Sequence, residues 1–155
     1  MIGLKYKLTR EEQNVLNPRG INVIRDFGDG GVRVYGARTL STDPEWKYLN
    51  VRRLFQVVRS SLQRGTDWVV FEPNNSTLWG DIRRNVAAYL KTLWEAEALV
   101  GNTPEEAFYV RCDTNTNPQE NIDNGLVTIE VGICPVKPAE FVLINIQQYY
   151  GDEDK

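Results

Sequence analysis

Two apolar stripes with helical spacing constrain the fold of this chain more than any other feature of its sequence. Apolar side chains at i, i+3, i+4 and i+7 line one face of a helix. The first stripe therefore predicts a helix over residues 50–64, with Asn50 as its N-cap and Gly65 as its end. The second predicts a helix over residues 76–100 that ends at Gly101. The stripes comprise Val51, Leu54, Phe55, Val58 and Leu62, then Leu78, Ile82, Val86, Tyr89, Leu90, Leu93 and Ala98.

Short strand segments flank and separate these two predicted helices. A hairpin is predicted from residues 21–27 and 32–35, because the Gly-Asp-Gly-Gly sequence between them supplies the positive φ angles of a tight turn. The continuous apolar run at residues 68–71 predicts a central strand buried on both faces. Further strands are predicted over residues 108–112, 126–134 and 140–148. This order predicts an α+β fold, in which two main helices pack on one mixed β-sheet and terminal strands are available for pairing between subunits.

The residue types present exclude several kinds of catalytic site. The chain has no histidine and only two cysteines, Cys112 and Cys134. Ser-His-Asp triads, Cys-His nucleophiles and histidine-based zinc sites are therefore excluded, and both cysteines are predicted to be small core residues. The adjacent Glu105 and Glu106 fall in the first turn of a short helix predicted from a capping box at Thr103, where negative charge is favourable. We expect no enzyme, no cofactor and no metal, and a small carboxylate-based enzyme stays open as an alternative.

Charge is distributed unevenly along the chain, although the net charge is only −3. Residues 1–100 contain 15 basic and 11 acidic side chains, whereas residues 101–155 contain 3 and 10. Such a division suits head-to-tail association between copies. Four arginines lie on the polar side of the first predicted helix, which has no acidic residue: Arg52, Arg53, Arg59 and Arg64.

This basic helix face has three interpretations. It can be a solvated face, which is the usual role of a run of charges. It can bind an acidic protein partner, because arginine pairs with carboxylates in a planar, bidentate geometry. An Arg-rich domain that binds nucleic acid or another ligand is the third interpretation, and the negative net charge disfavours nucleic acid.

The last predicted strand carries apolar residues on both of its faces. Its core consists of Phe141, Val142, Leu143, Ile144, Asn145 and Ile146. Such a strand either enters the centre of its own sheet or completes the sheet of another chain. Because an uncovered strand of this kind promotes aggregation, we expect a partner backbone to pair with it. No stretch approaches the roughly 18 apolar residues of a membrane helix, so we expect no membrane insertion.

Several segments, in order over residues 5–149, resemble the conserved C-terminal domain of contractile tail sheath proteins. These proteins occur in myophages, R-type pyocins and related phage-like injection particles. The most specific motifs are WxYxxVRR at residues 46–53 and VKPAEF at residues 136–141. The matching segments are LNPRGIN at 16–22, VYGARTL at 34–40, DPEWKYLNVRRL at 43–54, WVVFEPN at 68–74, TPEEAF at 103–108, DNG at 123–125 and PVKPAEF at 135–141.

The resemblance implies a structural, self-assembling subunit without catalysis or cofactor. Sheath subunits form stacked rings or helical tubes around an inner tube, and contraction drives that tube through a target envelope. The implied partners are other copies of the subunit and the inner tube protein, without nucleic acid. The four arginines would contact the tube or a neighbouring subunit, and residues 141–146 would form a strand between subunits. The implied location is the tail of a virion or phage-like particle, after assembly in the bacterial cytoplasm.

The resemblance also divides the chain into segments. Residues 1–20 are expected to be a lead-in or linker, residues 21–149 the conserved domain, and residues 150–155 an acidic disordered tail. Family members are normally longer and carry an N-terminal arm ahead of this region. We therefore expect the chain to correspond to a fragment or to a short paralogue.

Overall fold

Five α-helices and four short strands make up residues 3–140, the part of the chain that the computed structural model describes. In chain order they are α1 (Arg10–Leu16), β1 (Val23–Asp26), β2 (Val32–Tyr35), α2 (Leu49–Gly65), α3 (Ser76–Glu95), α4 (Pro104–Ala107), β3 (Phe108–Arg111), α5 (Gln119–Asp123) and β4 (Glu130–Ile133). The mixture of helices and strands confirms the predicted mixed class.

The two long helices form where the apolar stripes predict them. The side chain of Asn75 caps α3 by accepting hydrogen bonds from the backbone N–H groups of Thr77 and Leu78, at 3.0 and 3.1 Å. These bonds satisfy donors that a helix start otherwise leaves without partners. Helix α2 begins after Tyr48 rather than after the predicted cap Asn50, which lies inside its first turn. Helix α3 ends at Glu95, short of the predicted Gly101.

The core lies between the inner faces of α2 and α3 and one face of the β3–β4 hairpin. Its fully buried members come mainly from α3, and Val58 joins them from α2 and Cys112 from the end of β3. Leu54 and Leu62 of α2 are partly buried against this cluster. The buried members are Val58, Leu78, Trp79, Ile82, Val86, Leu90 and Cys112. Both predicted helical stripes therefore face the core, and the predicted burial of Cys112 is confirmed, whereas Cys134 is exposed.

Within residues 3–140 the strands form two separate two-stranded sheets, not the single mixed sheet that was predicted. Strands β1 and β2 pair antiparallel from Val23 opposite Tyr35 to Asp26 opposite Val32. Strands β3 and β4 pair antiparallel from Phe108 opposite Ile133 to Arg111 opposite Glu130. The first pair is largely exposed, and the second packs on α3. The hairpins stay apart because no strand forms in the segment that was expected to lie at the centre of the sheet.

That segment, residues 68–71, is a turn on the surface, so the prediction of a buried central strand is wrong. A 3-10 turn spans Asp67–Val69, and only Val69 packs against the core. Phe71 is 101% exposed and has a φ of 72°, in the left-handed region that bulky residues rarely adopt. Helices α2 and α3 pack on the β3–β4 hairpin without a strand between them, so the segment that connects the two helices lies on the surface. A short apolar run alone cannot distinguish these outcomes.

One smaller prediction also needs correction. The side chain of Thr103 makes no capping hydrogen bond at α4; instead Glu106 accepts a hydrogen bond from the backbone N–H of Asn102 at 2.8 Å. The predicted lead-in contains a helix, α1, which a capping box between Thr9 and Glu12 begins. Across residues 3–140, no helix has both the length and the apolar character needed to cross a bilayer.

Candidate functional site

The four arginines of α2 are all exposed, but they form two stripes rather than one surface. With 100° per residue, Arg52 and Arg59 lie on nearly the same line along the helix, and Arg53 and Arg64 lie about 100° away. The guanidinium of Arg52 lies over the Trp46 ring, 5.1 Å from its centroid. Within residues 3–140 none of the four forms a salt bridge. The helix therefore presents two separate basic surfaces.

An apolar groove of about 320 Å³ runs between α2 and β4, beside the first of these stripes. Arg59 and Gln63 form part of its polar rim. Its apolar lining consists of Phe55, Val58, Leu62, Val86, Ile129, Val131 and Ile133. The groove thus places apolar side chains of the helix and the strand next to the guanidinium of Arg59 and the side-chain amide of Gln63.

The β4 side of this groove is an open strand edge. The backbone N–H of Cys134 donates to the carbonyl of Ala107 at 2.8 Å, which continues the ladder with β3. Because successive residues of a strand direct their N–H and C=O groups to opposite sides, Val131 and Ile133 direct theirs away from β3. In the described residues no further strand pairs with this edge. An extended segment could hydrogen-bond to β4 here and insert alternate side chains into the groove.

The opposite face of the β3–β4 hairpin is covered by Tyr109. Its hydroxyl donates to Glu130 Oε1 at 2.9 Å, and this bond raises the pKa of Tyr109. Arg111 lies over the Tyr109 ring at 5.0 Å. The ring lies so close to Gly132 that an added Cβ would be 2.1 Å from it, so this position accommodates only glycine beneath the ring. These contacts cover the face of β4 that is turned away from the core.

A polar cluster fixes the chain at Glu140, immediately before the predicted C-terminal strand. Arg38 donates to both carboxylate oxygens of Glu140, from Nε at 2.8 Å and from Nη2 at 2.6 Å. The Tyr48 hydroxyl donates to the same carboxylate at 3.1 Å, and Lys47 Nζ lies 3.4 Å away. The side chains of Arg38 and Glu140 are only 10% and 15% exposed. The hydrogen bonds from Arg38, with that from Tyr48 and the charges of Arg38 and Lys47, lower the pKa of Glu140 to about 2.

Arg38 itself is held by the N-terminal part of the chain. The amide side chain of Asn22 accepts from the Arg38 N–H at 2.9 Å and donates to its carbonyl at 2.8 Å. Arg38 Nη1 also donates to the carbonyl of Asn17 at 3.2 Å. Sequence reasoning missed this cluster, although both partners lie in the motifs VYGARTL and VKPAEF. An acid directly before an apolar strand was the available signal.

Between β4 and Glu140 the chain is bound at successive points along the molecule. The N–H of Val100 donates to the carbonyl of Cys134 at 2.8 Å, and the N–H of Val136 donates to the carbonyl of Ala98 at 3.2 Å. The side chain of Asn50 then donates to the carbonyl of Val136 at 2.8 Å. The chain thus leaves β4, passes the N-terminal end of α2 and reaches the Arg38 cluster. The predicted strand at residues 141–146 lies outside the described residues.

Glu12 and one member of the acidic pair at Glu105 and Glu106 serve local structure. Glu12 completes the capping box of α1, and Glu106 bonds to the backbone ahead of α4. Within residues 3–140 no group of three or more metal-ligating side chains lies close enough to hold a metal ion.

A protein-family model and two solved structures match this chain. Residues 41–149 match the phage tail sheath C-terminal domain family. A chain in the cryo-EM structure of the anti-feeding prophage baseplate is 40% identical, with a TM-score of 0.89, over 94% of this chain and 41% of that one. A chain of the contracted sheath complex of the PVC extracellular contractile injection system is 38% identical, with a TM-score of 0.87, over 94% and 42%.

Curated relatives are more distant in sequence. The tail sheath protein of Enterobacteria phage T4 is 26% identical over 94% of this chain and 21% of its own length. The tail sheath protein of Vibrio phage KVP40 is 25% identical over 97% of this chain and 22% of its own length. The chain therefore spans about a fifth of the length of these curated relatives.

Proposed function

Because this chain belongs to the phage tail sheath C-terminal domain family, we propose that it is a structural, self-assembling part of a contractile tail sheath. In this function copies of the subunit surround an inner tube and drive it through a target envelope on contraction. The observation that carries the proposal is the match to a chain of the contracted PVC sheath complex over 94% of this chain, at 38% identity and a TM-score of 0.87. It supports the sheath function over the enzyme and nucleic-acid alternatives.

Pairing between subunits would use the open edge of β4. The predicted strand at residues 141–146 supplies apolar side chains on both faces, which is what an apolar groove beside a strand edge requires. Burial of large side chains such as Phe141, Leu143 and Ile144 would contribute about 1.5–3 kcal/mol each. The added strand would also satisfy the N–H and C=O groups of Val131 and Ile133.

The path of the chain favours pairing with another copy over pairing with its own β4. After Cys134 the backbone of Val136 is bound to Ala98 and to Asn50, and the side chain of Glu140 is bound to Arg38. Glu140, the last described residue, therefore lies at the Arg38 cluster, beyond the N-terminal end of α2, and a strand that returned to β4 of the same copy would have to reverse direction after it. In every copy the Arg38 cluster would hold the chain at the same position, directly before the predicted strand at residues 141–146.

The remaining partners follow from the same function. The outward stripe of Arg53 and Arg64 is available to acidic residues of the inner tube or of a neighbouring subunit. The proposed location is the tail of a virion or phage-like particle, after assembly in the cytoplasm of a bacterium. The protein acts through contacts between subunits rather than through catalysis, and needs neither cofactor nor nucleic acid.

A proline on the open edge of β4 tests this function. In Val131→Pro the lost N–H points away from β3, and proline is tolerated on the free side of an edge strand. We expect the wild-type chain to self-associate with rising concentration in sedimentation velocity, with rings or tubes in negative-stain images. Val131→Pro should reduce this association strongly.

The control is Val131→Ala, which removes two methyl groups of the side chain but keeps the N–H. It should retain most of the association, and both variants should keep a cooperative thermal transition. Equal association of the two variants at concentrations where both are folded would contradict strand addition at β4.

A further inference from the structure

The strand exchange proposed above leaves an acidic segment of the arriving chain close to α2. Residues Asp152, Glu153 and Asp154 follow the predicted strand in every copy. We infer that these acids bind the groove-side arginine stripe of the receiving copy, with Arg59 as the central contact. This inference rests on the proposed strand exchange and names a specific partner for arginines that the sequence assigned only to a tube or a neighbour.

The position of Arg59 carries the argument. It is on the rim of the groove beside β4, together with Gln63, whereas the walls below are apolar. On the α2 surface, Arg52 lies two turns before Arg59 on nearly the same line but does not line the groove. A strand bound to β4 would therefore lie beside the guanidinium of Arg59.

Charge complementarity selects an acidic occupant. Helix α2 contains no acidic residue from Leu49 to Gly65, and Arg59 forms no salt bridge within the described part of the chain. The segment after residue 146 reads Gln-Gln-Tyr-Tyr-Gly and then three successive acids. Guanidinium groups pair bidentately with carboxylates, so this segment supplies the chemistry that the stripe lacks.

The chain is long enough to make this contact. Six residues from Ile146 to Asp152 span at most about 20 Å when extended. Helix α2 has 17 residues and is about 25 Å long. Arg59 lines the same groove as Val131 and Ile133 of β4, so it lies beside the position of the added strand and within the length of the segment that follows it. Gly151, directly before the acids, allows the chain to turn toward the helix.

A labelled peptide measures the acid contribution separately from strand binding. Synthetic peptides of residues 141–155, one native and one with Asp152→Asn, Glu153→Gln and Asp154→Asn, are titrated with the full chain by fluorescence anisotropy. We expect the native peptide to bind about three- to tenfold more tightly at low salt, since exposed charge pairs contribute modestly. At 0.5 M salt the difference should shrink, because exposed charges are screened.

Variants of the receiving chain locate the contact. Arg59→Gln should weaken native peptide binding by the same factor and leave the neutral peptide unaffected. The matched control, Arg84→Gln, removes one exposed charge from α3 and should change neither peptide.

The outcomes separate this inference from the function on which it rests. Equal affinity of the two peptides, or an equal loss in Arg59→Gln and Arg84→Gln, would overturn the acid contact while strand exchange stands. If neither peptide binds the chain at any salt concentration, strand exchange at β4 is itself wrong and the acid contact falls with it.

Discussion

The carboxylate of Glu140 is held by Arg38, Lys47 and Tyr48, and its replacement by glutamine should weaken the folded chain measurably. The bidentate bond from Arg38 is the main cause that lowers the pKa of Glu140 from 4.5 to about 2, with contributions from Tyr48 and Lys47. A shift of this size corresponds to about 3 kcal/mol of stabilisation. Glu140→Gln keeps the shape but leaves the Arg38 cation nearly buried without its counter-charge.

The same shift determines the pH dependence. The pKa of Glu140 is lower in the folded chain than in the unfolded one, so its contribution is complete above about pH 5. It is lost as the pH falls through 4.5 toward 2. In urea unfolding at pH 7, Glu140→Gln should cost about 3 kcal/mol and should lose part of the wild-type decline in stability between pH 5 and pH 3.

The control is Glu105→Gln, which changes an exposed carboxylate on α4 and should alter stability by less than about 0.5 kcal/mol. A double-mutant cycle with Arg38→Gln should give a coupling energy of about 1–3 kcal/mol. If Glu140→Gln lowers the free energy of unfolding by less than about 0.5 kcal/mol and leaves the pH dependence of stability unchanged, the bonds from Arg38 and Tyr48 to Glu140 do not form in solution.

Two further predictions concern the fold. Ile82 is fully buried and Leu54 is only partly buried. In urea unfolding, Ile82→Ala should therefore lower the free energy of unfolding by about 2–5 kcal/mol, and Leu54→Ala by clearly less. A larger loss at Leu54 would mean that the core is centred elsewhere. Phe71 is fully exposed at a positive φ, so Phe71→Gly should stabilise the chain by about 0.5–1 kcal/mol. The control Glu72→Gly should not stabilise it. A loss of stability in Phe71→Gly would show that the ring makes contacts in solution.

Local patterns predicted the elements that local physics stabilises. The stripe on α3 and the turn between β1 and β2 depend on residues near one another in sequence, and both were confirmed. The two-stripe division of the α2 arginines also follows from helix periodicity alone, because α2 is a regular helix. The family resemblance added the prediction that the chain assembles with other copies of itself.

Tertiary structure decided the features that depend on distant residues. Whether residues 68–71 form a strand depends on how α2 and α3 pack on the β3–β4 hairpin, which a short apolar run does not encode. The bond between Arg38 and Glu140 joins residues 102 positions apart, so an acid beside an apolar segment marks one partner but no local pattern identifies the other. The sequence by itself therefore determined the two long helices, the β1–β2 hairpin and the charge of α2, where neighbours in the chain supply the stabilising contacts. Only the folded chain decided which edge of β4 has no partner strand within residues 3–140 and where Glu140 is held, because both depend on contacts between segments far apart in sequence.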